Sequence, residues 1–239
     1  MLGFLVALGL SWLLLWFFGR EPITRLGIRP TGRRLAEFGM GTLVMGVLCA
    51  ITFLAQAHFT RITHGLNPDY DLWGAIEAIG WTLRATLFEE LLFRGALLYL
   101  LIRKLGTTRA CLASAVAFGI YHWFSYEMLG GPIIALVYVF LLTGAAGFMF
   151  ALAFAKTKSL YASTGLHFGW IVVSIVVFSS GPLGNQLLLP QGEAAPLDGW
   201  LTLVNFLWQA VAVPGMVILA LRKWWPPIEE EPPVAGQSD

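Results

Sequence analysis

The chain has 239 residues, of which 57% are hydrophobic and only 12% charged, with a formal net charge of +1. An ordinary globular domain carries about 25% charged residues, so this composition excludes a water-exposed surface and the basic face that a nucleic-acid-binding protein needs. With 10 Trp and 17 Phe to populate interfacial aromatic belts, the chain reads as all-α, a polytopic helical bundle of the cell membrane.

A bilayer-spanning helix needs about 20 apolar residues. Seven stretches qualify in chain order: about 2–18, 36–58, 81–102, 110–126, 132–155, 159–180 and 200–221. The first lacks a basic leader and a small-residue cleavage site and runs into Arg20 and Glu21, so it is expected to be retained as a helix. The stretch 71–80, with Trp73, Glu77 and the adjoining Trp81, either lies at the interface or extends the third helix outward. The expected count is therefore about seven transmembrane helices, or eight. Cys49 and Cys111 fall inside apolar runs and read as packing residues. Residues 1–225 form one expected domain with its core at about 81–180. The segment 226–239, with Pro226, Pro227 and the Glu229–Glu231 run, reads as a disordered cytosolic tail.

The cations sort by loop. Arg20, Arg25, Arg29, Arg33 and Arg34 lie in the first, Arg103, Lys104 and Arg109 in the third, and Lys156 and Lys158 in the fifth. Arg222 and Lys223 follow the last span, whereas the alternate loops hold only Arg61. Cytoplasmic loops are enriched in Lys and Arg, which places the N-terminus outside and the C-terminus in the cytoplasm.

Away from the span ends the ionisable residues are Arg84, Glu89, Glu90, Arg94, His122 and His167, with Glu77 and His58 near the ends. A charge at the bilayer centre costs at least about 2.5–3.5 kcal/mol, so such residues face the bundle interior and mark function by default. Glu77 and Arg84 are expected to pair near the outer interface. At a rise of 1.5 Å per residue, a continuous third helix puts Glu89 about 21 Å from Arg103; His122 is about 20 Å from Arg109 and His167 about 14 Å from Lys158. These similar depths allow one shared cavity. Arg94 lies one turn beyond Glu90 and keeps that carboxylate ionised and oriented. Glu89 is offset by about 100°, free for a separate catalytic role. A carboxylate with imidazoles can activate water, directly or through a metal. Zinc on Glu89, His122 and His167 would leave one open position, but no H-E-x-x-H motif is present, and no cofactor is expected to be required. Ser125 and Ser163 form no evident serine–histidine–carboxylate grouping.

Phe88–Gly95, reading F-E-E-L-L-F-R-G, resembles the E-E-x-x-x-R motif of the CPBP (Abi, CAAX-protease-like) family of intramembrane endopeptidases. Phe118 to His122 resembles its F-x-x-x-H motif, His167 its later H-x-x-x-N motif, and Arg25-Leu26-Gly27-Ile28 its lead-in. The resemblance implies hydrolysis of a peptide bond in a membrane-associated or prenylated CAAX-like substrate. Glu89 and His122 would activate water and His167 would help hold the oxyanion, with Glu90, Arg94 and Phe118 in support. Members have been described both as metalloproteases and as metal-independent glutamate proteases. The family's asparagine four residues after the second histidine is Ile171 here; Tyr121, Asn205 and Ser174 are the candidate replacement donors. Trp170 either packs beside His167 or shapes a substrate pocket. Ile171 also motivates the alternative, a non-proteolytic bacteriocin-immunity or scaffold member; a small transporter is the third reading, disfavoured by the lack of an inverted repeat.

Overall fold

The computed structural model describes residues 2–178, 181–183 and 185–224. The expected tail at 226–239 lies outside the described residues. Nine α-helical segments follow one another among those described: α1 (Leu2–Leu14), α2 (Gly32–Thr60), α3 (Leu72–Arg94), α4 (Ala96–Leu105), α5 (Thr107–Ser125), α6 (Ile133–Thr157), α7 (Leu160–Val172), α8 (Gly199–Leu207) and α9 (Val213–Trp224). Three π turns extend or join them, at Leu15–Gly19 after α1, Val173–Phe178 after α7 and Trp208–Ala212 between α8 and α9. The non-helical exception is a two-stranded antiparallel ladder, β1 (Thr63–Leu66) with β2 (Leu188–Gln191).

Local sequence explains several helix starts. Thr31, Asp71, Ser159 and Asp198 each accept a backbone N–H from the first turn of α2, α3, α7 and α8, satisfying donors that have no intrahelical partner. Because α3 begins at Leu72, the stretch 71–80 extends the third helix rather than lying apart from it.

Four continuous helices among the described residues are long and apolar enough to cross a membrane: Gly32–Thr60, Ile133–Thr157, Leu160–Phe178 and Gly199–Lys223. The chain is an integral membrane protein. The third expected span, 81–102, is not one helix. It breaks at Gly95, where ψ is −141°, between α3 and α4. A Cβ at Gly95 would collide with the carbonyl of Leu91 and lie 2.9 Å from Ser11 Oγ of α1, so the bend needs glycine. The depth of Glu89 therefore cannot be counted along a straight helix from Arg103. Glu77 and Arg84 are both exposed and form no ion pair with each other, since seven residues separate them by about 10 Å along α3.

The loops that carry the cations meet at one end of the bundle. Glu21 accepts from Arg25 at 2.9 Å and from Arg103 at 3.3 Å, joining the first and third loops. Tyr161 Oη donates to Ile28 O at 3.2 Å, and Lys156 Nζ donates to the carbonyls of Leu221 and Arg222 at the end of α9. Gly27 (φ +66°) sits so close to the α6–α7 junction that a Cβ would lie 2.6 Å from Ser159 Cα. At the other end, the β1–β2 ladder and the Asn67 Nδ2 to Gln186 O bond tie the alternate loops together.

Helix α7 is the buried centre, with a long contact against α2. Gly165 and Gly169 let the two backbones touch: a Cβ at Gly165 would lie 2.8 Å from Phe38 Cα, and one at Gly169 2.7 Å from Thr42 Cα. Small residues four apart permit such close helix approach in a bilayer. Gly169→Ala is expected to force α2 away and lower stability by about 1–3 kcal/mol, read as a fall in melting temperature in detergent; an unchanged melting temperature would refute this packing.

Candidate active site

Glu90, Arg94 and His167 form a buried knot between α3 and α7. Glu90 and Arg94 are both 0% exposed. One oxygen, Glu90 Oε1, accepts from Arg94 Nη1 at 3.0 Å and from His167 Nδ1 at 2.9 Å. The first contact is the one-turn spacing that helix geometry supplies; the second crosses from α3 to α7. Arg94 Nη2 also donates to Gly147 O of α6 at 3.2 Å. Gly147 leaves that carbonyl open to the guanidinium, since a Cβ there would stand 2.9 Å from the Phe118 ring.

Phe118 of α5 is the hub of the aromatic surround. Arg94 lies 4.1 Å over its ring centroid, close enough for a cation–π contact. The His122 and His167 rings approach the same ring edge-on at 4.5 and 5.7 Å. The backbone carbonyl of Phe118 accepts from His122 Nδ1 at 2.8 Å.

These contacts assign the imidazole hydrogens. A carbonyl and a carboxylate only accept, so both histidines use Nδ1–H on the protein, and both Nε2 atoms remain for other partners. Glu89 Oε2 lies 3.7 Å from His167 Nε2, beyond hydrogen-bond range. It is buried and has no protein hydrogen-bond partner; Glu90 Oε2, Arg94 Nε, Thr86 Oγ1 and Thr164 Oγ1 share that condition. The site thus combines two carboxylates, a guanidinium and an imidazole in contact, with unsatisfied polar atoms at its edge.

His122 and His167 line a cavity of about 210 Å³. Met45, Met149, Trp170, Ile171 and Val213 supply much of its wall, so Trp170 shapes the pocket. Of the two histidines, only His167 comes within 4 Å of the Glu89 carboxylate. Of the three candidate replacement donors, none lines this cavity. Tyr121 packs on Phe93 and His122 at 5.2 and 5.4 Å. Ser174 belongs to the π turn beyond α7. Asn205 lines a separate apolar pocket between α2 and α8. The cavity instead holds three polar residues that were not anticipated: Tyr126, Thr143 and Gln209. Gln209 was legible in principle, because it follows Asn205 by one helical turn in an otherwise apolar run.

Among the described residues, no group of three or more His, Cys, Asp and Glu side chains converges to hold a metal ion. The Nδ1 bonds of His122 and His167 leave both Nε2 atoms open, but in this structure these do not converge with Glu89 on one point, and no step below runs through a metal.

The chain matches no curated protein and no solved structure. Residues 71–173, which include α3, the Gly95 bend, α5 and both histidines, match the family model described as type II CAAX prenyl endopeptidase Rce1-like. Over that segment the chain is similar to the Rce1-like, CAAX-protease-like family whose motifs it carries.

Proposed function

We propose that the protein is an intramembrane endopeptidase of the cell membrane, with its N-terminus outside and about seven helix passages, the third of them bent at Gly95. The gathering of the cationic loops at one end of the bundle supports that topology. The observation that carries the reading is the 3.7 Å approach of Glu89 Oε2 and His167 Nε2. It brings a carboxylate without a protein hydrogen bond against an imidazole whose other nitrogen is anchored on Glu90.

A water molecule hydrogen-bonded to Glu89 and to Nε2 of His122 gives its proton to the Glu89 carboxylate. Its oxygen attacks the scissile carbonyl carbon, and the carbonyl oxygen becomes an oxyanion. His167 in its imidazolium form donates Nε2–H to that oxyanion while Glu90 holds Nδ1–H. In this form the charges of Glu89, Glu90, Arg94 and His167 sum to zero, which suits a low-dielectric interior. Protonated Glu89 then passes its proton to the leaving nitrogen, the C–N bond breaks, and an acid and an amine are released. Fixed donors and acceptors of this kind need little reorganisation during reaction.

The family name points to prenylated CAAX substrates. The largely apolar cavity wall supports a substrate that presents an apolar side chain at the scissile bond. The test is mass spectrometry of a prenylated CAAX-type peptide incubated with the purified protein in detergent. Wild type is expected to release a short C-terminal fragment. Absence of any fragment, or equal release by wild type and Glu89→Gln, would overturn the assignment.

A further inference from the structure

Hydrolysis of an amide needs donors aimed at the oxyanion, and the site described so far offers one, His167. Its helix supplies no second to this cavity: the residue one turn further on, Ile171, is apolar and lines it, and Thr164, whose hydroxyl is unpartnered, does not. Among the remaining polar lining residues, Tyr126 stacks edge-on against the His122 ring at 5.0 Å, on the side of the water-activating imidazole, and Thr143 spends its hydroxyl on Val139 O at 2.7 Å. Gln209 is different. Its carboxamide has two N–H groups, and its one recorded partner is Asn205 Oδ1, at 3.2 Å. If the two amides are turned the other way, Gln209 accepts from Asn205 and both of its N–H groups remain. In either arrangement at least one is free.

The backbone presents this side chain deliberately. Pro214 has no N–H to give to the preceding turn, and the helix widens there, with Val213 N–H reaching Trp208 O five residues back. Such π turns recur at functional sites. The turn is pinned on one side by Trp208 Nε1, which donates to Thr52 Oγ1 of α2 at 2.7 Å. On the other side, Val213, Val217 and Leu221 pack in one core with Met149 and Phe150 of α6.

We propose that Gln209 is a catalytic hydrogen-bond donor of this site, its amide N–H holding the oxyanion from the last helix in place of a donor on α7. The inference rests on the endopeptidase reading above. Gln209 forms no covalent bond and keeps both protons; it stabilises the charge that appears when the carbonyl π bond opens and is released when the C–N bond breaks.

The test compares wild type, Glu89→Gln, Gln209→Met and Gln209→Met/Ile171→Asn on the prenylated peptide, with melting temperatures measured in the same detergent. Gln209→Met keeps length and loses both donors, and is expected to lower kcat by about 10²–10³ with KM held within about threefold. Adding Ile171→Asn, a donor on the α7 wall, is expected to recover at least about tenfold. If Gln209→Met melts early, Gln209→Glu is read instead; it keeps size, has no N–H, and as a carboxylate holds Asn205 only by accepting from its Nδ2 once that amide turns, and the same loss is expected. Wild-type kcat in the donor-free variant, with Glu89→Gln inactive, would overturn the role of Gln209 and leave the endopeptidase reading standing. Full activity of Glu89→Gln would remove that reading itself.

Discussion

Glu89→Gln is expected to lower kcat by about 10²–10⁴, the contribution typical of a positioned general base, while leaving the fold intact. The amide has nearly the shape of the carboxylate but cannot take a proton from water. Glu89 Oε2 makes no protein hydrogen bond, so the substitution breaks none there, and the stability change should stay within the about 0.5–1.5 kcal/mol that one typical hydrogen bond contributes. The measurement is peptide cleavage alongside thermal unfolding in detergent. A variant with wild-type rate would show that Glu89 is not the base. A variant that is inactive and also unfolded would move Glu89 from the chemistry to the scaffold.

Arg94→Met should behave in the opposite manner, costing the fold first. Removing the guanidinium leaves the Glu90 carboxylate, at 0% exposure, with His167 Nδ1–H as a remaining partner. Breaking a buried pair from one side typically costs about 3–5 kcal/mol. The Gly147 carbonyl and the Phe118 ring lose their partner as well. Replacing both members, as Glu90→Gln/Arg94→Met, is expected to recover much of that loss, because no uncompensated charge remains. Denaturant titration of the single and double variants measures the coupling directly. Equal stability of Arg94→Met and wild type would mean that the ion pair does not hold α3, α6 and α7 together. Activity in the double variant should remain low, since His167 Nδ1 then faces a neutral amide rather than a carboxylate.

Much of the architecture was legible in the residues. Apolar runs of span length and the alternation of Lys and Arg between loops need no tertiary information, and the loops that share cations do share one end of the bundle. The straight third span was the exception. Apolar length alone does not register a glycine that releases the backbone at position 95, so the axial distance from Arg103 to Glu89 was misleading, although Glu89 and His167 do meet. The donor search failed for a related reason. Asn205 and Gln209 are equivalent polar residues in one apolar run, and only the packing of the last helix decides that Gln209 reaches the histidine cavity while Asn205 lines another pocket.

The sequence by itself determined that this is a membrane protein, that Glu90 pairs with Arg94 and that Glu89 points elsewhere. Those conclusions depend on the bilayer as solvent and on the helix period, which operate within a few residues. Only the tertiary structure decided that His167, 77 residues away, shares Glu90 Oε1 with Arg94, and that Gly147 offers its carbonyl to the same guanidinium. The reason is physical. Contacts between helices follow from how closely their backbones approach, and here that approach is set by Gly165, Gly169 and Gly147, whose missing side chains carry no chemical signature until a neighbouring helix occupies the space.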